Sequence, residues 1–385
     1  MRATWLGVAA IVAASVGAAP AFAGSPRVAD GSAAPEIAAG PSGADRYPER
    51  RVAFPGGVVG LADLTYATPP GFRPLTLDLY LPPTSAVVPP AGFPAVVYVH
   101  GGGWAGGDAR RTDPFAALPA VLASLAARGY VVASVNYRLS SEARSPAAVL
   151  DVKTAIRWLR SKDADYRIDS GRVAVWGTSA GGTLAGAVAV TCNVEAYNPD
   201  VSTPPGTVDA EGRPITRVLP PQLAQQSDCV QAAASWYGVF DFATFAEQLG
   251  VQDGAPELSQ NSGFLGCEVP QCPPGLVAGA SSTTYAGRGA PPMLLIHGME
   301  DATVPHEQSE EMAGKLWGAG APVTLILIPG VGHSLNGKTP EATRAAAIQA
   351  LNATFDFFDR TVGSEGPSGG GAASPVDTGI GASGR

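Results

Sequence analysis

One short stretch, residues 173–182, constrains the fold of this chain more than any other. Its first part, 173–176, is apolar and predicts a buried strand, and it leads directly into a Gly-x-Ser-x-Gly turn whose serine is Ser179. The residues that follow, up to Val190, are small and compatible with a helix. A serine at such a strand-to-helix turn is held in a strained backbone, so its neighbours must be small. The stretch therefore predicts that Ser179 lies at a helix N-terminus, where free N–H groups and the helix dipole favour negative charge.

Strand and helix patterns alternate along residues 47–362, which form one predicted domain. We predict eight strands, at residues 58–66, 75–81, 94–100, 130–136, 172–177, 230–237, 292–297 and 323–328. Helices are predicted between most of them, at 114–128, 146–160, 182–190, 240–249, 306–317 and 339–358. Two turn-rich excursions, 193–228 and 259–289, interrupt the alternation. This pattern is typical of an α/β protein with a mostly parallel sheet covered by helices on both faces, where sites gather at the strand C-terminal ends.

The two ends of the 385-residue chain have a different composition. Residues 1–23 carry an early arginine, an alanine-rich apolar middle and a small-x-small end, which predict an export signal peptide. Residues 24–46 and the Gly/Ser-rich stretch 363–385 lack apolar periodicity and are predicted to be disordered. The formal net charge is −8 with no block of basic residues, which argues against nucleic-acid binding and against binding to an anionic membrane surface. Outside the predicted signal peptide no stretch is long and apolar enough for stable membrane insertion. We therefore expect a secreted protein.

The four cysteines fit an oxidising compartment. Nearness in sequence favours a Cys267–Cys272 disulfide, which leaves Cys192–Cys229 to clamp the ends of the first excursion. Zinc binding is the alternative, but the cysteines form no pair of Cys-x-x-Cys units and no histidine is close to them in sequence. No metal or organic cofactor is expected.

A nucleophilic serine needs a base within hydrogen-bond reach, and the chain has four histidines. His333 follows the last predicted strand in a flexible Gly-rich loop, from which its ring can reach Ser179. His297 ends a strand and is interpreted as a loop-shaping residue, His306 as a solvated residue of a first helical turn, and His100 as the start of a glycine run. We therefore predict that His333 is the base.

The base must itself be oriented by an acceptor, and Asp301 follows the strand that ends at His297. A carboxylate at this position fixes the imidazole tautomer and stabilises the imidazolium as Ser179 loses its proton. Glu300 is the neighbouring alternative. The resulting order, Ser179, Asp301, His333, is the nucleophile–acid–histidine order of a serine hydrolase built on this kind of sheet.

Donors for a developing oxyanion are also present. The Ala180 N–H immediately follows the nucleophile, and the glycines 101–103 after the third strand bring further N–H groups close because no Cβ intervenes. Trp104, Trp236 and Tyr237 are candidate pocket residues, with a place in the core as the alternative.

These motifs together resemble an α/β-hydrolase. His100-Gly-Gly-Gly-Trp104, Asn136-Tyr-Arg-Leu139, Gly177-Thr-Ser-Ala-Gly-Gly182, Asp301-x-x-Val-Pro305 and Gly332-His333 occur in the order of the family. The chain is similar to hormone-sensitive-lipase-like carboxylesterases and to BD-FAE, feruloyl-esterase-like, enzymes. The resemblance implies a triad of Ser179, Asp301 and His333 and an oxyanion hole of Gly102, Gly103 and Ala180. Thr178 departs from the acidic residue that is frequent at its position.

We therefore expect a secreted serine hydrolase that cleaves carboxylic esters of short-acyl, aryl or feruloyl type, as small molecules or linked to a polymer. The first excursion, 193–228, is expected to cover the mouth of its site. Three alternatives stay open: a serine peptidase of the prolyl-oligopeptidase type, a binding protein on a catalytically silent scaffold of the same fold, and a polyester or plant-cell-wall esterase that differs only in its substrate.

Overall fold

The computed structural model of the protein describes residues 50–69, 71–200 and 219–363. The predicted signal peptide 1–23 and leader 24–46 lie outside these residues, as do the predicted tail from residue 364 onward and part of the first excursion. No helix within the described ranges is both long and apolar enough to cross a bilayer.

A nine-stranded sheet forms the centre of the fold. Its strands are Arg50–Ala53 (β1), Val59–Ala67 (β2), Leu75–Leu81 (β3), Phe93–Val99 (β4), Val131–Val135 (β5), Ile168–Thr178 (β6), Ala232–Trp236 (β7), Met293–Gly298 (β8) and Val323–Ile328 (β9). The strand order is β1-β2-β3-β5-β4-β6-β7-β8-β9. The pairs from β1 to β5 are antiparallel, and all pairs from β5 to β9 are parallel.

The α/β class and the mostly parallel sheet are confirmed, but the predicted count of eight strands was one too low. The additional strand is β1, an edge strand paired antiparallel with β2. All four of its residues are exposed, so it has no alternation of buried and exposed positions that could reveal it.

Helices cover both faces of the sheet. They are Leu118–Ala126 (α1), Ala147–Ser161 (α2), Asp163–Tyr166 (α3), Ala180–Val190 (α4), Pro221–Ala224 (α5), Phe245–Leu249 (α6), Ser259–Leu265 (α7), Leu276–Ala280 (α8), Glu307–Ala319 (α9) and Pro340–Thr361 (α10). Helix α1 is shorter at its start than the predicted 114–128, because residues 114–117 lie in turns.

Strand residues alternate between two apolar cores, one on each face. Val97 and Val175 pack in the core that includes side chains of α2, α4 and α9. Their neighbours Val96 and Trp176 pack in the other core, with side chains of α1 and α10. This alternation follows from the two-residue period of a strand, and it places α1 and α10 on the same face.

Both predicted disulfides are formed, Cys192–Cys229 and Cys267–Cys272. All four cysteines are therefore oxidised, and the zinc–thiolate alternative is wrong. The second excursion contains two short helices, α7 and α8, which the sequence analysis treated only as a turn-rich region.

Candidate active site

The turn between β6 and α4 places Ser179 at the C-terminal edge of the parallel strands. Ser179 has φ 54° and ψ −123°, a backbone conformation that is strained for a residue with a side chain. Its N–H donates to the Trp236 carbonyl at 2.9 Å, which ties the turn to the end of β7. A Cβ on Gly177 would lie 2.1 Å from the Gly181 carbonyl oxygen, so the first position of the motif admits only glycine.

Two hydrogen bonds join three of the predicted site residues. Ser179 Oγ lies 3.0 Å from His333 Nε2, and His333 Nδ1 lies 2.7 Å from Asp301 Oδ2. His333 begins a short 3-10 turn after β9, and Asp301 follows β8, so neighbouring strands bring the two side chains together. Glu300, the alternative acid, is exposed and makes no ion pair with a histidine in the described part of the chain.

The Asp301 carboxylate is fully buried, and two backbone N–H groups and two histidine rings contact it. Oδ1 accepts from the backbone N–H of Thr303 at 2.8 Å and of Val304 at 2.9 Å. Oδ2 faces both His333 and, at 3.3 Å, His297 Nε2. Burial by itself raises the pKa of Asp301, but the contacts with His297 and His333 outweigh it and hold this pKa well below its usual range. Asp301 is therefore ionised at neutral pH.

His297 is a contact that the sequence analysis missed, because it treated this residue only as loop-shaping. The ring is fully buried at the end of β8, with Nε2 also 3.0 Å from the Val304 carbonyl and Nδ1 2.7 Å from Ser309 Oγ. Nε2 faces two oxygens that can only accept, so it carries a proton and donates to them. The signal in the sequence is the spacing of four residues between His297 and Asp301 across a tight turn. By contrast, His306 lies beside Glu307 at 3.5 Å and does not approach the site.

The glycine run after β4 packs directly against the serine turn. A Cβ on Gly101 would lie 3.2 Å from Ser179 Cβ, and the Gly101 N–H donates to Thr112 Oγ1 at 3.1 Å. Gly102 and Gly103 both have positive φ, 116° and 59°. In the part of the chain that the structure describes, no acceptor takes a hydrogen bond from the N–H of Gly102, Gly103 or Ala180. These three donors are therefore available at the serine turn.

Thr178, which departs from the expected acidic residue, contributes a hydrogen-bonded link. Its buried hydroxyl lies 3.0 Å from the Tyr98 hydroxyl and 3.2 Å from Thr112 Oγ1. Since Thr112 also accepts from Gly101, the threonine connects the serine turn to the loop that follows the glycine run. An uncharged residue suits this buried position.

The three aromatic pocket candidates are core residues. The Trp236 side chain points from β7 toward α10, where its Nε1 donates to Thr354 Oγ1 at 2.9 Å, so it is not a pocket residue. Trp104 is buried and stacks on Phe264 at 4.5 Å between ring centroids. Tyr237 is also buried, with its ring 5.0 Å from that of His333. None of the three lines the cleft described next.

A cleft of about 490 Å³ opens in front of Ser179 and His333. Besides the glycines 101–103, its lining includes Arg110, Arg111, Phe115, Gln260 and Thr303. Gln260 lies on α7 and its side-chain oxygen would be 2.2 Å from a Cβ on Gly103, so it stands directly over the glycine run. No pattern in the sequence indicated Gln260, since a long-range contact brings it there.

The second excursion, rather than the first, reaches the cleft. None of the described residues of the first excursion, 193–200 and 219–228, lines it. They are tied instead to α2, where Asp228 pairs with Lys153 at 3.1 Å and with Arg157 at 2.6 Å, all three buried. The expectation that the first excursion covers the mouth of the site is therefore not met by these residues.

The fold agrees with comparisons with known proteins. The profile of the BD-FAE family matches residues 77–316. The chain belongs to the BD-FAE family. Esterase LipQ of Mycobacterium tuberculosis is 30% identical over 306 residues, which are 78% of this chain and 63% of LipQ. Esterase LipC of the same organism is 30% identical over 274 residues, 69% of this chain and 59% of LipC.

This BD-FAE protein thus spans about 60% of the length of these two curated relatives. Among solved structures, a truncated form of a carbohydrate esterase from gut microbiota is 28% identical, with a TM-score of 0.60. That alignment covers 78% of this chain and 94% of the other. The predicted resemblance to α/β-hydrolase esterases is confirmed.

Proposed function

We propose that this BD-FAE protein is a serine hydrolase that cleaves carboxylic esters. Ser179 is the nucleophile, His333 the general base and Asp301 the residue that orients the base. The observation that carries the proposal is the pair of hydrogen bonds, 3.0 Å and 2.7 Å, that links these three side chains at the edge of the sheet. The esterase names of LipQ, LipC and the carbohydrate esterase support the same chemistry.

The proposed reaction passes through an acyl-enzyme. Ser179 Oγ attacks the ester carbonyl carbon while His333 Nε2 accepts the hydroxyl proton. His333 then gives that proton to the oxygen of the departing alcohol, and the C–O bond breaks. Water, deprotonated by His333, attacks the acyl-enzyme and releases the acid, and Ser179 regains its proton. Asp301 stays ionised throughout and stabilises the imidazolium.

The negative charge of the tetrahedral intermediate needs donors at the serine turn. The N–H groups of Gly102, Gly103 and Ala180 form the proposed oxyanion hole, since each is free of other acceptors among the described residues. Loss of one such donor typically costs about 3–4 kcal/mol of transition-state stabilisation. The helix α4 begins at Ala180, so its dipole adds to the same effect.

The finer assignments are also part of the proposal. The substrate is a small-molecule or polymer-linked ester with a short or aryl acyl group, because Gln260 narrows the cleft directly above Gly103. Secretion is supported by the two disulfides, since these form and persist in oxidising compartments.

The test compares the wild-type protein with Ser179→Ala on a p-nitrophenyl acyl series and on methyl ferulate. The expected result is hydrolysis by the wild type and a loss of about 10⁴-fold or more in kcat in the variant, at unchanged thermal stability. Cleavage of a proline-containing peptide without ester cleavage would instead favour the peptidase alternative. Inactivity of the wild type on every ester and peptide would overturn the proposal in favour of a silent scaffold.

A further inference from the structure

An apolar groove of about 560 Å³ runs between α1 and α10, beside the candidate active site. Ala117, Ala120 and Val121 line it from the α1 side. Ala347 and Ile348 line it from α10, with Thr343 and Arg344 at its polar edge. The Ile348 side chain is half exposed, although the chain as a whole is acidic and soluble surfaces favour polar residues at such positions. An exposed groove of this size next to the candidate nucleophile is a candidate ligand-binding site.

The groove adjoins the catalytic cleft. Phe115 and Ala116 line both cavities, so a molecule that extends from the cleft across these two residues reaches the groove. From there the groove follows α1 as far as Ser124. At a rise of 1.5 Å per residue, the distance from Ala117 to Ser124 is roughly 10 Å, which is enough for an alkyl chain of several carbons.

The groove opens on the side of the cleft where the alcohol departs. In the proposed reaction His333 protonates the leaving oxygen, so the alcohol part of the ester must lie beside His333. The Tyr237 ring is 5.0 Å from the His333 ring, and its hydroxyl donates to the Asp113 carbonyl at 3.2 Å. The segment from Asp113 to Ala116, which leads into the groove, therefore lies on the His333 side.

The opposite side of the cleft is bounded by Gln260 and by buried aromatic rings. Gln260 stands over Gly103, and behind it Trp104 stacks on Phe264 at 4.5 Å and lies near Phe242 at 6.0 Å. A long acyl chain would have to displace these buried rings. The acyl side therefore suits a short group, while the alcohol side leads across Phe115 and Ala116 to the groove.

We propose that the groove between α1 and α10 binds the apolar alcohol portion of the substrate, so that the preferred substrates are short-acyl esters of long, apolar alcohols. This inference rests on the proposed esterase function and goes beyond it by assigning the two sides of the ester to two different sites. Full burial of one methylene changes an equilibrium by about fourfold, and an open groove retains about half of that, or roughly twofold per methylene.

Two isomeric esters test the assignment, because hexyl acetate and ethyl hexanoate have the same formula with the long chain on opposite sides. We expect kcat/KM for hexyl acetate to exceed that for ethyl hexanoate by about tenfold, and to exceed that for ethyl acetate by a similar factor. Equal values for the two isomers, or a preference for ethyl hexanoate, would overturn the proposal.

Groove variants locate the effect. Ala120→Glu and Ala347→Glu place a charge in the groove, at an exposed and a partly exposed position respectively. The ratio of kcat/KM for hexyl acetate to that for ethyl acetate should then fall toward one. Ala345→Glu is the matched control, since Ala345 is an exposed residue of α10 that does not line the groove. A ratio that stays high in both groove variants would contradict the assignment.

A binding measurement separates this inference from the proposed function. Titration of 1-octanol into the wild type and into Ala347→Glu, followed by calorimetry, should show binding that is weaker by at least about tenfold in the variant. Absence of octanol binding to the wild type overturns the groove even if short esters are hydrolysed. Octanol binding without hydrolysis of any ester supports the groove and refutes the esterase.

Discussion

His333 and His297 meet the same carboxylate oxygen, Asp301 Oδ2, yet the two regions of the site that hold them differ sharply. The His333 ring lies on a turn after β9, its side chain is 22% exposed, and its second nitrogen faces Ser179. The His297 ring is fully buried at the end of β8, and both of its nitrogens are occupied by protein groups.

The difference shows that a carboxylate partner alone does not make a histidine a base. A general base needs a free acceptor nitrogen that faces the reacting hydroxyl, and only His333 has one. His297 is better described as a positioning residue, because it donates to Asp301 and holds the orientation of the carboxylate that contacts His333. The two residues are of the same type, so their roles differ because His297 is buried and because its other ring nitrogen contacts Ser309 rather than the reacting hydroxyl.

The largest expected effect is that of His333→Ala. Without its base, Ser179 keeps its proton, so kcat on p-nitrophenyl acetate should fall by about 10⁴-fold or more. The free energy of unfolding should also fall, by about 1.5–3 kcal/mol, because the variant loses the hydrogen bond from His333 to the buried Asp301 carboxylate. Activity within about tenfold of the wild type would mean that another group deprotonates Ser179. His333 would then not be the base, and it would not differ from His297 in this role.

Substitution of His297 should have a smaller effect that depends on the replacement. His297→Leu removes the donor to Asp301, and a hydrogen bond to a charged group is worth about 1.5–3 kcal/mol, so kcat should fall by about 10- to 100-fold. His297→Gln retains an amide N–H at the position of Nε2 and should restore most of the activity.

The pH profile distinguishes positioning from a simple packing defect at His297. Loss of the donor raises the pKa of Asp301, so the activity of the Leu variant should decline at a higher pH on the acid side than that of the Gln variant. Equal losses and equal profiles in the two variants would indicate that His297 only fills space.

Much of this fold could be predicted from the chain itself. The eight longer strands can be predicted from apolar runs of the right length. The motifs after three of these strands predict Ser179, Asp301 and His333 as site residues. Edge strand β1 could not be predicted, because backbone pairing with β2 holds it and its side chains are all exposed. A local sequence pattern indicates a strand through its buried residues, and β1 has no buried residue.

The surroundings of the site depend on packing between distant segments. Gln260 reaches Gly103 only because the second excursion folds over the glycine run, and no local pattern specifies that approach. Trp236 was a reasonable pocket candidate at a strand end, but the strand's alternation turns its side chain toward α10. These features are set by tertiary contacts.

His100 provides a reference for a buried histidine that has no ion-pair partner in the part of the chain that the structure describes. Burial lowers its pKa from 6.5 to about 4, although its contact with the Gly101 carbonyl, 2.7 Å from Nδ1, opposes this shift. The unfolded chain therefore takes up this proton first as the pH falls. The stabilising contribution is complete above pH 6.5 and declines to its minimum near pH 4, by roughly 3 kcal/mol.

Urea unfolding at several pH values tests this window. The wild type should lose stability between pH 6.5 and pH 4, whereas His100→Asn, which retains a donor for the Gly101 carbonyl, should show a flatter profile. Asp301 acts in a lower window: its pKa is depressed on folding, so its contribution is present above its ordinary pKa and is lost only in stronger acid. Identical slopes for wild type and His100→Asn would contradict the prediction.

The smallest effect is expected for Ser309→Ala on α9, which removes the contact with His297 Nδ1 at 2.7 Å. The donor from His297 Nε2 to Asp301 remains, so the ring loses one of its supports but not its bond to the carboxylate. We expect kcat to fall by no more than about threefold, and the free energy of unfolding to fall by about 1–3 kcal/mol, because the substitution leaves the buried Nδ1 of His297 without its partner. A loss as large as that of His297→Leu would mean that Ser309, and not the carboxylate, fixes the orientation of the His297 ring.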